Sequence, residues 1–149
     1  MKICTETVMG KSKVDQKVWL APLVPDEDFQ VQFRDDHVNI TIGPKYKTSR
    51  RQRKELWAAI RSASERYGSR RILLEGFRPR AELSTVEVVE AGQHASASPN
   101  LWIAFCMDQL YPTDQRELFE VVAASRGVRA KFFTDREKAL TWLRRNARA

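Results

Sequence analysis

Two continuous apolar runs, Ile72-Leu73-Leu74 and Leu101-Trp102-Ile103-Ala104-Phe105, each followed by a helix start, constrain this chain more than any other feature. A strand with one wet face alternates apolar and polar residues. A run without alternation belongs to a strand covered on both faces, the situation in a parallel sheet. Parallel neighbours need a crossover, and the sequence supplies one after each run. Ser84-x-x-Glu87 has the spacing of a capping box, with Val86 and Val89 expected to point inward. Pro112 and Thr113 open the next helix, with Leu118, Phe119 and Val122 inward. A last strand from Val128 to Phe133 leads through Thr134-x-x-Glu137 into a helix carrying Leu140 and Leu143.

Upstream the period is two. Phe29, Val31 and Phe33 alternate, Asp35-Asp36 supplies a turn, and Val38, Ile40 and Ile42 alternate again, which reads as a hairpin with one buried face. Ser49-x-x-Gln52 then caps a helix that runs to about Tyr67 and stops at Gly68, with Leu56, Ile60, Ala63 and Tyr67 as its buried stripe. The expected fold is therefore α/β, a mixed sheet covered by helices in the order ββαβαβαβα over residues 29–149. Residues 1–28 read as an arm, flexible or loosely docked through Trp19, Leu20 and Leu23.

A chain of 149 residues is one domain by size. With 42% hydrophobic and 30% charged residues it reads as globular, and no apolar run is long enough for membrane insertion. Its amino-terminal stretch is polar and lacks a signal-peptide core, so the expected location is cytoplasmic. Cys4 and Cys106, the only cysteines, fit free thiols in a reducing compartment. Two cysteines and the distant His37 and His94 make no zinc set, and neither a metal nor a cofactor is expected.

The formal net charge of +7 favours acidic partners: a phospho-ligand, nucleic acid, an anionic surface or an acidic protein. Much of that charge is concentrated. Lys45, Lys47, Arg50, Arg51, Arg53 and Lys54 span a loop and the first turn of a helix, where positive charge opposes the helix dipole. If the second, third and fourth strands run parallel, the loops 43–48, 76–83 and 107–113 leave the sheet at one edge, the usual binding edge of open α/β sheets. Arg78 and Arg80 lie in the middle loop, so basic side chains from two loops are expected beside three helix amino termini. Tyr46 and Phe77 add packing or stacking surfaces there.

The second half also resembles the STAS domain, the sulfate transporter and anti-sigma factor antagonist family, in its small stand-alone bacterial form. The resemblance rests on Arg71-Ile72-Leu73-Leu74-Glu75-Gly76, Glu82-Leu83-Ser84-Thr85, Leu101-Trp102-Ile103-Ala104-Phe105, Ala124-Ser125-Arg126-Gly127-Val128 and Phe132-Phe133-Thr134-Asp135-Arg136-Glu137-Lys138-Ala139-Leu140. It covers roughly residues 29 to 145. It implies a STAS-like mixed sheet, a regulatory role, a protein partner and a switch at Ser84 or Thr85. In the antagonists an Asp-Ser-Ser/Thr-Gly loop carries a phosphorylated serine. Here the stretch reads Glu82-Leu83-Ser84-Thr85-Val86, without the aspartate directly before the serine or the glycine after it.

Ser84 reads first as a helix cap contributing on the order of 1 kcal/mol. The same place suits a phosphoacceptor, since phosphate would meet free amides at the positive helix end. Glu75 and Asp108 end neighbouring strand patterns, where two carboxylates suit acid–base work or magnesium. Ser84 has no nearby base, and neither a Walker loop nor a dinucleotide fingerprint is present, so no catalytic residue is assigned. The leading expectation is a non-enzymatic regulatory or protein-interaction module acting through the edge around Ser84. The alternative is an anion-binding protein, for nucleotide or nucleic acid, using the basic loops at that edge. A monomer and a homodimer both remain open.

Overall fold

The computed structural model describes residues 29–43, 46–47, 49–79, 83–97 and 100–147. The arm over 1–28, with Trp19 and Cys4, lies outside the described residues, as do Lys45 and Arg80. Within them the order is β1 (Phe29–Arg34), β2 (His37–Ile42), α1 (Arg50–Tyr67), β3 (Arg71–Gly76), α2 (Thr85–Gln93), β4 (Leu101–Met107), α3 (Thr113–Ser125), β5 (Val128–Phe133) and α4 (Arg136–Asn146). This is the expected ββαβαβαβα succession.

The sheet has five strands in sequential order, β1 antiparallel to β2 and every later pair parallel. The hairpin turns at Asp35-Asp36, where Asp35 takes φ 51°, a left-handed conformation its short polar side chain tolerates. Because each parallel strand is added on the same side of the last, right-handed crossovers place α1, α2 and α3 on one face. Side-chain alternation follows from that placement. Val38, Ile40, Ile72, Leu74, Ile103 and Val128 face those three helices, while Leu73, Ala104 and Cys106 face α4. The chain thus folds into three layers with two apolar clusters, and β3 and β4 are buried on both faces because they sit between them. Fully burying one such isoleucine or leucine stabilises the fold by about 1.5–3 kcal/mol.

Local signals formed the helix ends. Ser49 and Gln52 make a full capping box at α1, and Gly68 closes the helix at φ 63°. Ser84 and Glu87 make the same box at α2. At α4 the cap is Asp135, whose side chain accepts from Lys138 N, and not Thr134 one residue earlier. An aspartate at the N-cap also places negative charge at the positive helix end.

Two inward-facing assignments are corrected. Val86 is 68% exposed and Val88 is buried, so α2 is rotated relative to the expected stripe. The rotation is set by α3, which lies against Gly92 of α2: a Cβ there would stand 2.7 Å from Val122 Cγ1. Tyr67 ends the α1 stripe outside the core and stacks on Phe33 of the hairpin at 4.9 Å between ring centroids. No described helix is long and apolar enough to cross a membrane.

Candidate functional site

Parallel β2, β3 and β4 bring the loops after them to one edge of the sheet, as the basic-loop reading required. The starts of α1, α2 and α3 lie on that edge. Two of its loops are stitched together through Arg78. Its backbone N–H donates to Asp108 Oδ1 (2.7 Å), its Nη1 donates to Leu110 O (2.8 Å), and its guanidinium lies 4.9 Å from the Tyr111 ring centroid. Such a contact combines charge-assisted hydrogen bonding with cation–π attraction. The half-buried Arg116 extends the lacing, donating from Nε to Tyr111 O (2.8 Å) and from Nη2 to Thr113 Oγ1 (2.9 Å). Gln115 Nε2 donates to Leu83 O (3.2 Å), joining α3 to the entry of α2.

Ser84 is exposed on this edge and acts as the α2 cap. Its hydroxyl accepts from Glu87 N (3.2 Å), while Glu87 Oε1 accepts from Ser84 N (2.8 Å). Those two Ser84 contacts, the backbone N–H first, hold the Glu87 carboxyl below its ordinary pKa. Glu87 is therefore ionised in the cap. Thr85, beside it, is exposed at the first position of α2. The expectation of a cap at Ser84 is met, and the carboxylate of Glu87 stands next to the Ser84 hydroxyl.

The basic run does not converge as one patch. Lys47, Arg50, Arg51 and Lys54 are exposed, but Arg51 pairs with Glu55 one turn along (3.1 Å) and Arg50 reaches Glu90 of α2 (3.9 Å). Arg53 is the departure: its side chain is only 6% exposed and its Nη2 lies 3.4 Å from Glu90 Oε1. Helical periodicity turns Arg53 toward α2, while Arg51 and Lys54 point outward. The adverse charge at the start of α1 is thus met in part by a carboxylate from the neighbouring helix. Gln52, also buried, gathers the preceding loop by accepting from Lys47 N, Ser49 N and Ser49 Oγ at 3.0–3.2 Å.

Glu75 and Asp108 serve different partners. Glu75 accepts from Asn39 Nδ2 (3.0 Å) and pairs with Arg136 of α4 (3.4 Å), on the sheet face away from α1 to α3. Asp108 caps the backbone of Arg78, as above. Among the described residues no group of three or more histidine, cysteine and carboxylate side chains is placed to hold a metal ion.

Beneath the edge lies an apolar cavity of about 90 Å³, unannounced by any local motif. Ile60 and Leu74 are fully buried at its depth; Tyr111, Gln115 and Arg116 are half-buried at its mouth. Burial pushes the Tyr111 hydroxyl pKa up to about 12, so that group is neutral. Sequence reasoning missed Arg116 and Gln115 because each reads as an ordinary helix-surface residue. It also missed the exposure of Leu110 at 38%, which joins Phe77 at 43% and Val86 on the same edge.

Comparison with protein-family models, with curated proteins and with solved structures returns no match to this chain.

Proposed function

We propose that this chain is a non-enzymatic regulatory or protein-interaction module of STAS-like type, acting through the loop edge around Ser84. One observation carries the reading: three large apolar side chains, Phe77, Val86 and Leu110, are exposed on an edge whose backbone is tied down by Arg78. Exposed apolar groups beside charged ones, on a surface already ordered, favour association because little entropy is lost on docking. The exposed Lys54 and the carboxylate-paired Arg50 and Arg51 lie along that edge in a chain of net charge +7, which favours an acidic protein surface as the partner. Ser84 and Thr85 are its modifiable positions. Phosphate on Ser84 would repel the ionised Glu87 and open the cap, changing the surface a partner meets.

The test is capture from the native host with the full chain, with intact mass and phosphosite mapping of the recovered protein. A reproducible acidic partner, lost with Phe77→Asp combined with Leu110→Asp and kept with Val121→Asp on the outer side of α3, supports the reading. Absence of any reproducible partner, or one indifferent to the double substitution, overturns it. Phosphate mapped to Ser84 or Thr85 would assign the switch; an unmodified edge would leave a constitutive module.

A further inference from the structure

We infer that the cavity under α1, α2 and α3 is a binding site for a small carboxylate with an apolar tail, independent of any protein docked on the edge. Protein interiors pack to crystal-like density, with few voids larger than a water molecule. A cavity of about 90 Å³ holds several times the volume one water needs, yet its walls include Trp57, Ile60, Leu74, Val88, Phe105 and Phe119. Those walls offer water few hydrogen bonds. A mainly apolar cavity of this kind favours an apolar guest over water. The volume admits the end of an alkyl chain or one small ring, with the rest of the ligand lying toward the mouth.

The mouth determines the other end of the ligand. Arg116 lines it with its guanidinium held by Tyr111 O and Thr113 Oγ1, while Nη1 makes no hydrogen bond among the described residues. No carboxylate of the described residues forms a salt bridge with it. An immobilised guanidinium with donors to spare, beside an apolar cleft, is built for a carboxylate oxygen. Gln115 stands next to it, its amide nitrogen anchored on Leu83 O and its amide oxygen available to an acid or alcohol group. Arg116 and Gln115 stand at the half-buried opening, the buried Arg53, paired with Glu90, and Tyr46 also line the cavity, and the rest of the wall is mainly apolar, the distribution found in small-molecule sites.

The site differs from the proposed partner surface in its residues. Phe77, Val86 and Leu110 take no part in lining it. Failure of partner capture therefore leaves this inference standing, and failure of ligand binding leaves the partner reading standing.

The experiment is calorimetric titration of the full chain with octanoate and, separately, octan-1-ol, below the concentration at which either self-associates. Saturable 1:1 binding of both is expected. Arg116→Ala is expected to weaken octanoate about tenfold and leave octan-1-ol unchanged, the discrimination given by one charge-assisted contact. Val88→Phe, which fills the cavity, is expected to weaken both. Near-ultraviolet circular dichroism of each variant establishes that it is folded, and Arg116→Ala, at a half-exposed position, serves where Val88→Phe is not. Absence of saturable binding of either probe overturns the inference. So does binding to which folded Arg116→Ala and Val88→Phe are both indifferent.

Discussion

Arg53 of α1 is buried against Glu90 of α2, with Nη2 to Oε1 at 3.4 Å, although its neighbours Arg51 and Lys54 stand in solvent. A buried arginine keeps its charge, so weakening the carboxylate beside it raises the cost of that burial. Glu90 is one-third exposed and also faces Arg50, which moderates the effect. Arg53→Ala is expected to lower stability by about 1–3 kcal/mol in urea unfolding, and Glu90→Gln by less. The double variant should fall short of the summed losses, since the two residues share one interaction. Full additivity would mean that the pair is not coupled.

Acid should unfold the protein in two phases, both centred on the hairpin turn. His37 Nδ1 donates to Asp36 Oδ1 (3.0 Å), while its buried Nε2 has no hydrogen-bond partner among the described residues, and burial lowers its pKa. The unfolded chain therefore takes up that proton first, and stability declines as the pH falls below the ordinary histidine value of 6.5. Asp36 acts later. Arg144 Nε (2.9 Å), with help from His37, holds its carboxyl at about 2 against an ordinary 3.8. Its contribution is complete above 3.8 and is lost as the pH falls toward 2. Allowing for solvent screening, that contribution is about 1 kcal/mol. Urea midpoints measured from pH 7 to pH 2 should show both declines, with the upper one reduced in His37→Gln and the lower one in Asp36→Asn.

Gly92→Ala should separate α2 from α3. The added methyl would meet Val122 Cγ1 at 2.7 Å and Val122 Cβ at 2.8 Å, and a β-branched side chain has little room to turn away. Overpacking of this kind costs about 1–3 kcal/mol. Differential scanning calorimetry should show a lower Tm for Gly92→Ala and a smaller loss when Val122→Ala accompanies it than the two single losses predict together. An unchanged Tm would mean that the helices approach less closely.

Cys106 should be inert in the folded protein. It lies under α4 with Leu73 and Ala104, and burial first, with Glu75 nearby, pushes its thiol pKa up to about 12. The reactive thiolate is then both scarce and inaccessible. In a Cys4→Ser background, labelling by a disulfide reagent should proceed only at the rate of global unfolding, measured alongside by circular dichroism. Rapid labelling of the native protein would place Cys106 at the surface.

The sequence by itself determined the features that act within a few residues. Capping at Ser49-Gln52 and Ser84-Glu87 needs partners three positions apart, and the hairpin needs only alternation and a turn at Asp35-Asp36. The apolar runs at Ile72 and Leu101 marked β3 and β4 as central because strands covered on both faces have no polar side. Tertiary structure decided what depends on residues brought together from far along the chain. The rotation of α2, which exposes Val86 and buries Val88, follows from α3 resting on Gly92. The burial of Arg53 follows from Glu90, 37 positions away. The cavity arises because three helices and four strands meet imperfectly around Ile60 and Leu74, a matter of side-chain volume that no local pattern records.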